Sequence, residues 1–236
     1  MGQVYELIGH EPPAVIKYMF CGNETQLKMF QDECEALKKI YHVNVVRLYR
    51  YKEEGKTVGI VMEYCEKGPL KEVILDPTIT YSMNTVLTWG IQLFGAIDHM
   101  YQKHKLVHRD IKPDNIFVTN DYQLKIGDFG LDVYDQIKDP DIRDSHRNDV
   151  YSLGLVVWEI IERRTIFLKY GPEGAFNRDM LVLDIGLKRV TEIESPECQS
   201  EIQKIISRCT NFQRILRPPA SEVLDFLAQT QKNLLS

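Results

Sequence analysis

Residues 107–115 read Val-His-Arg-Asp-Ile-Lys-Pro-Asp-Asn, and Asp128-Phe129-Gly130 follows after a short strand-like run, Gln123 to Ile126. The first run supplies a carboxylate able to accept a proton (Asp110), a fixed cation (Lys112) and an amide able to bind a metal (Asn115). The second adds a carboxylate (Asp128) beside a bulky apolar residue and a glycine. Phosphoryl transfer needs this inventory. It asks for little covalent chemistry, but for tight positioning and for neutralisation of phosphate charge by Mg²⁺ and lysine. Asp110 would orient the attacking hydroxyl and take its proton, and Asn115 and Asp128 would offer the hard oxygens that Mg²⁺ prefers.

These side chains need elements to carry them. Ala14 to Met19, Val45 to Tyr49 and Thr57 to Met62 are short, apolar and rich in β-formers, which predicts strands. Between them Phe30, Leu37 and Ile40 form a helical stripe over residues 25–41. Beyond Glu63-Tyr64-Cys65-Glu66 the pattern turns helical. Leu87, Ile91, Phe94, Ile97 and Tyr101 keep a helical period, as do the apolar residues of 150–161, then Ile202, Ile205, Ile206 and Cys209, and a last helix is expected over 220–231. The expected fold class is therefore α+β, a small β-rich part with one helix followed by a larger helical part.

Composition narrows the function classes. The 236 residues carry 44% hydrophobic and 27% charged side chains, as in ordinary globular proteins. A net charge of −5 speaks against a nucleic-acid binder held by phosphate contacts. No apolar run is long enough to span a bilayer, so membrane insertion is not expected. Five scattered cysteines without a Cys-x-x-Cys pair fit reduced thiols and a cytoplasmic location. The absence of Gly-x-x-x-x-Gly-Lys-Ser/Thr excludes a P-loop nucleotide hydrolase.

The two runs resemble the catalytic loop and the metal-binding loop of the eukaryotic protein kinases, and the resemblance extends over nearly the whole chain. It implies a bilobal kinase domain, with residues 1–62 as the smaller lobe, 63–66 as hinge and 67–236 as the larger lobe. It implies ATP and Mg²⁺ as cofactors, and Lys112 in Lys-Pro-Asp-Asn is the form found in kinases acting on Ser or Thr hydroxyls. Lys17, in Ala14-Val15-Ile16-Lys17, matches the strand lysine that holds the α- and β-phosphates. Its implied helix partner is Glu33, which shares a face with Leu37; Glu35 points elsewhere. Gly2-Gln3-Val4 resembles the end of the glycine-rich loop over the phosphates. Met62 matches the gatekeeper, and the backbone of Glu63 and Cys65 would bond adenine. Val4, Val15 and Phe117 would sandwich the purine. Leu37, Leu48, Phe129 and His108 would stack between the lobes, with His108 structural rather than basic. Asp149 resembles the aspartate that braces the catalytic loop, and Arg217 the arginine that pairs with the glutamate of the Ala-Pro-Glu motif. Arg109 would pair with a phosphate on the activation segment.

Two features depart from the family pattern. Pro69 stands where many kinases carry a ribose-binding acid, and no Ala-Pro-Glu occurs among the 18 residues from 131 to 148. Either that segment is lost, or the sequence jumps near Asp144-Ser145-His146. Arg217 favours the jump, because a buried guanidinium without its glutamate would be costly. Trp158 to Arg164 and Gly171 to Phe176 look similar to MAP kinase kinase kinases of the TGF-β-activated type. That kinship implies MAP kinase kinases as substrates and an activator protein docked on the larger lobe. His42-Val43-Asn44 and Asn115-Ile116-Phe117 also resemble kinases of a translation initiation factor. A pseudokinase acting as scaffold is the reading from a different class.

Overall fold

The computed structural model describes residues 3–128, 142–171 and 175–235, apart from the side chains of Glu33, residues 142–144 and residue 235. Four strands, β1 (Gln3–Glu6), β2 (Ala14–Phe20), β3 (Leu48–Glu54) and β4 (Thr57–Glu63), form an antiparallel sheet in the order β1-β2-β4-β3. Glu54 pairs with Thr57 across a two-residue turn. Gly55 supplies the positive φ (66°) that the first turn position of this hairpin requires. The helix α1 (Glu24–Lys38) starts where Asn23 accepts the Gln26 N–H at 2.9 Å, a side-chain N-cap. It packs on the sheet through Phe30 and Cys34, which join Cys21, Leu48 and Val58 in a small core.

The strand expected over Val45–Tyr49 begins only at Leu48. Val45 and Val46 leave the sheet instead: the Val46 N–H donates to Ile126 O and the Ile126 N–H to Asn44 O. An apolar run that reads as one strand here bridges from the helix to a second, lower sheet. That sheet is the hairpin of β5 (Ile116–Val118) and β6 (Leu124–Ile126).

The larger part is helical: α2 (Leu70–Leu75), α3 (Met83–His104), α4 (Ile142–Glu162), α5 (Arg178–Gly186), α6 (Ser200–Cys209) and α7 (Ala220–Leu235). Its core runs from Trp89, Leu93 and Phe94 on α3 to Leu153 and Trp158 on α4 and Val223 and Leu227 on α7. Gly154 lets α4 lie against α6, since a Cβ there would sit 2.7 Å from Thr210 Cγ2 and 2.9 Å from Cys209 Cβ. The lobed α+β arrangement is thus the one expected.

Helix α4 starts eight residues earlier than the apolar period suggests and runs unbroken through Asp144-Ser145-His146. Arg217 is also not stranded. Its Nε donates to Asn211 O at 2.7 Å, its Nη1 donates to Arg147 O and Asn148 Oδ1, and its guanidinium lies 4.4 Å from the Tyr151 ring centroid. Among the described residues, carbonyl oxygens and an aromatic face surround the Arg217 guanidinium.

Candidate active site

Asn115 sits on a 3₁₀ turn (Pro113–Asn115) that runs into β5, and Asp110 and Lys112 come just before it. Arg109, just ahead, has φ 68°, a left-handed conformation that a branched or bulky side chain rarely takes. Buried Asp149 on α4 holds it: its two oxygens accept the His108 N–H at 2.7 Å and the Arg109 N–H at 2.9 Å. Burial pushes the Asp149 carboxyl up to about 6, while the two N–H donors and Arg109 pull the other way. His108 is 1% exposed. Its Nδ1 faces the Asp110 N–H at 3.3 Å and its Nε2 faces Gly127 O at 3.0 Å, which assigns the ring proton to Nε2. Burial lowers its pKa, so the ring stays neutral and structural.

Asp110, Lys112 and Asn115 form one cluster. The Lys112 ammonium donates to Asp110 Oδ2 at 3.0 Å, and Asn115 Nδ2 donates to Asp110 Oδ2 at 2.7 Å and to Asp110 O at 2.8 Å. Burial alone would raise the Asp110 carboxyl, but these two donors outweigh it and hold it below the ordinary carboxylate value. The aspartate is therefore ionised near neutral pH, as an acceptor for a hydroxyl proton must be. With Nδ2 occupied, the Asn115 amide keeps Oδ1 for another partner; no hydrogen bond reaches that oxygen among the described residues.

Lys17 on β2 reaches across from the sheet to Asp128, with which it forms an ion pair. Asp128 follows β6 with φ 50°, and Gly127 before it allows close packing, since a Cβ there would lie 2.7 Å from Val46 Cγ2. A cleft of about 190 Å³ opens from this pair. Val4, Val15, Met62 and Phe117 supply apolar walls, Lys17 and Asp128 close the inner end, and Glu63, Tyr64 and Cys65 form the rim. Among the described residues the Cys65 N–H has no hydrogen-bond partner, while the flanking Tyr64 N–H donates to Pro13 O. The Cys65 thiol is itself pushed up to about 12 by burial, then by Glu63, so it is inert as a nucleophile.

The structure therefore brings Val4, Val15, Lys17, Met62, Glu63, Cys65, Phe117 and Asp128 to one cleft, beside the cluster of Asp110, Lys112 and Asn115. Gly2 and Phe129 lie outside the described residues, as does the side chain of Glu33. The backbone of Glu33 belongs to α1, and Glu35 is turned to Lys38 at 3.6 Å. Val46 and Gly68 also line the cleft and were not expected there. The β-rich look of Val45-Val46 disguised the first. A second missed feature is the Lys125–Glu63 ion pair at 2.9 Å, which ties β6 to the rim. A lysine inside the apolar strand Leu124-Lys125-Ile126 was its only trace in the sequence.

The residues fit both groups that the resemblance implies. A flat apolar slot edged by an unpartnered N–H suits a purine. One carboxylate and one amide oxygen suit Mg²⁺, which takes few protein ligands and fills its shell with water and phosphate. Consistent with this, no cluster of three or more His, Cys, Asp or Glu able to cage a metal occurs among the described residues.

Comparison with known proteins agrees. The family model described as "Protein kinase domain" matches residues 1–137. Over 224 residues the chain is 27% identical to "Putative mitogen-activated protein kinase kinase kinase 7-like" of Drosophila melanogaster, covering 87% of this chain and 57% of that protein. "Mitogen-activated protein kinase kinase kinase mom-4" of Caenorhabditis elegans is 25% identical, over 91% of this chain and 42% of its own length. "Serine/threonine-protein kinase Nek1" of Mus musculus is 28% identical, over 86% of this chain and 18% of its own length. This chain thus spans less than two thirds of each of these relatives. The match and the site together define a protein kinase domain, and the chain belongs to that family. Within it, the mouse relative is named a serine/threonine kinase.

Proposed function

We propose that this chain is an ATP- and Mg²⁺-dependent serine/threonine protein kinase that transfers the γ-phosphoryl group to hydroxyls of a protein substrate. The observation that carries the reading is the Lys17–Asp128 ion pair closing a purine-sized cleft next to the Asp110–Lys112–Asn115 cluster. The apolar walls and the Glu63–Cys65 backbone hold the base. Lys17 then exchanges Asp128 for the phosphates, and Asp128 and Asn115 Oδ1 hold Mg²⁺, which supplies charge neutralisation on the phosphates when bound. Asp110 accepts the hydroxyl proton, and Lys112 at 3.0 Å stands ready to balance charge on the group in transit. Residues 1–62, 63–66 and 67–236 serve as smaller lobe, hinge and larger lobe. Glu33 on α1 is the proposed helix partner of Lys17.

The fly and worm relatives favour a MAP kinase kinase kinase role, with a MAP kinase kinase as substrate, over that of a translation-initiation-factor kinase. An activator protein on the larger lobe is compatible with α5 and its C-cap: Met180, Val182 and Leu183 on the helix and Leu187 just after it are all about half exposed. Five cysteines outside any disulfide suit a cytoplasmic enzyme, and among the described residues no helix is long and apolar enough to cross a membrane. A second reading, a pseudokinase scaffold, draws on the 18 residues between Gly130 and Asp149, which contain no Ala-Pro-Glu.

Phosphate incorporation from Mg-ATP into a generic protein acceptor tests the reading. The wild-type chain is expected to label Ser or Thr, and Asp110→Asn to lower kcat by about 10²- to 10⁴-fold with nucleotide binding retained. Equal labelling by the two proteins removes Asp110 from its role. Wild-type binding without turnover selects the scaffold.

A further inference from the structure

Three histidines outside the active site meet behind the cleft. His42 lies in the loop from α1 to β3, and His99 and His104 lie on the last turns of α3. The His42 and His99 ring centroids are 5.0 Å apart, and those of His99 and His104 are 5.5 Å apart. His42 Nδ1 accepts the Asn44 N–H at 3.1 Å, which only an imidazole unprotonated at Nδ1 can do.

The loop held by this bond reaches the cleft in two steps. Asn44 Nδ2 donates to Leu124 O at 2.8 Å, and the Lys125 ammonium donates to Val43 O at 2.8 Å while pairing with Glu63. Glu63 in turn accepts the Arg47 N–H at 3.1 Å, donates its own N–H to Arg47 O, and lines the cleft rim. Residues 42 to 47 are thus the back support of the rim that would bond adenine.

We propose that His42, with His99 and His104 beside it, is a proton-sensitive latch. A proton taken from solvent at His42 Nδ1 removes the acceptor for Asn44, loosens the loop, and weakens adenine binding at Glu63–Cys65. The proposal deepens the functional reading above and rests on its placement of adenine in the cleft.

The surroundings discourage the charge that would trip the latch. The groups that act on His42 are His99 from α3 and Lys125 from β6, and the Arg47 guanidinium on its own loop lies over Tyr41. Among the described residues no carboxylate lies within ion-pair distance of the three rings, and Glu63 is already taken by Lys125. Burial first, then His99 and Lys125, hold His42 below the ordinary imidazole value of 6.5, and burial and His99 do the same to His104. A depressed histidine favours the folded loop above pH 6.5, and that contribution is lost as pH falls below it, where the opened loop takes the proton first.

Adenosine, which has no phosphate to titrate, is the probe, used on the full chain at pH 7.5 and 5.5 by calorimetry. Because the opened loop takes the proton more readily than the latched one, wild-type binding should weaken several-fold at the lower pH. His42→Asn, whose amide oxygen can accept the Asn44 N–H but cannot titrate, should bind equally at both. In parallel, hydrogen exchange at the Asn44 amide, corrected for its intrinsic rate, should accelerate on acidification in the wild type and not in the variant. Flat wild-type values overturn the latch, as does an unchanged pH response in His42→Asn. Should that variant fail to fold, the two wild-type measurements decide alone. Adenosine binding at neither pH overturns the cleft reading instead, and Asn44 exchange still judges the latch.

Discussion

The sheet and the helical body hold their halves of the site by different means. The sheet's core comprises five buried residues, Cys21, Phe30, Cys34, Leu48 and Val58, and every residue of β1 is exposed. The helical body encloses both tryptophans, Phe94 and a long row of aliphatic side chains at 2% exposure or less. Lys17 thus stands on a thin, adjustable layer, whereas Asp110 and Asn115 stand on elements braced by α4. Under the proposed function, a phosphoryl-transfer site would gain from this division: base and metal ligands would stay fixed while the layer carrying Lys17 adapts to the nucleotide.

Truncation on each side tests the contrast most strongly. Leu153→Ala, fully buried on α4, should cost about 3–5 kcal/mol, because the surrounding helices cannot collapse into the cavity. At roughly 2–4 °C per kcal/mol for a chain of this size, its Tm should fall by about 10 °C. Leu48→Ala in the small core should cost about 2–3 kcal/mol, with exchange rising in β2, β3 and α1 alone. Equal costs, or exchange rising everywhere after Leu48→Ala, would mean that both halves unfold as one unit.

Asp149→Asn probes the brace itself. One of the two N–H groups would face an amide NH₂ instead of an oxygen, which costs about 1–3 kcal/mol and frees the strained Arg109 backbone. Activity should fall with KM for ATP unchanged, since the cleft is untouched. The pH trend carries a sign. Because the folded Asp149 carboxyl sits above its ordinary value, its contribution to stability grows as pH falls from about 6 toward 4. The stability gap between wild type and Asp149→Asn should widen over that range in thermal melts, and a narrowing gap would refute the buried-carboxylate account.

How far the sequence disclosed all this depended on how local each requirement is. Asp110, Lys112, Asn115 and Asp128 are spaced by the turn they share or adjoin, so their grouping could be read from order alone. The cleft walls were implied by the family resemblance, and the alternation of β2 puts Val15 and Lys17 on one side of the strand. Long-range pairings were not. Two partners of Arg217, Arg147 and Asn148, lie 70 and 69 residues away in the chain, and the Lys125–Glu63 pair joins separate sheets. Short elements also escaped: the apolar residues of α5 are spread around its circumference among Arg178, Asp179 and Asp184, and only Leu181 is buried, so it lacks the period that betrays a helix.

The smallest expected effect completes the contrast, because it asks whether surface charge shares in the rigidity of the helical body. Arg208 on α6 and Glu222 on α7 pair at 2.6 Å with both side chains about half exposed. Screening by water and salt, and the entropy of fixing two long side chains, should leave Arg208→Ala within about 0.5 kcal/mol of wild type. Raising the salt concentration should erase even that difference. Ile205→Ala, one turn away on the buried face of the same helix, should cost several times more. A large, salt-resistant loss for Arg208→Ala would show that the two helices are joined at their surface, and the rigidity assigned to the core would have to be shared with it.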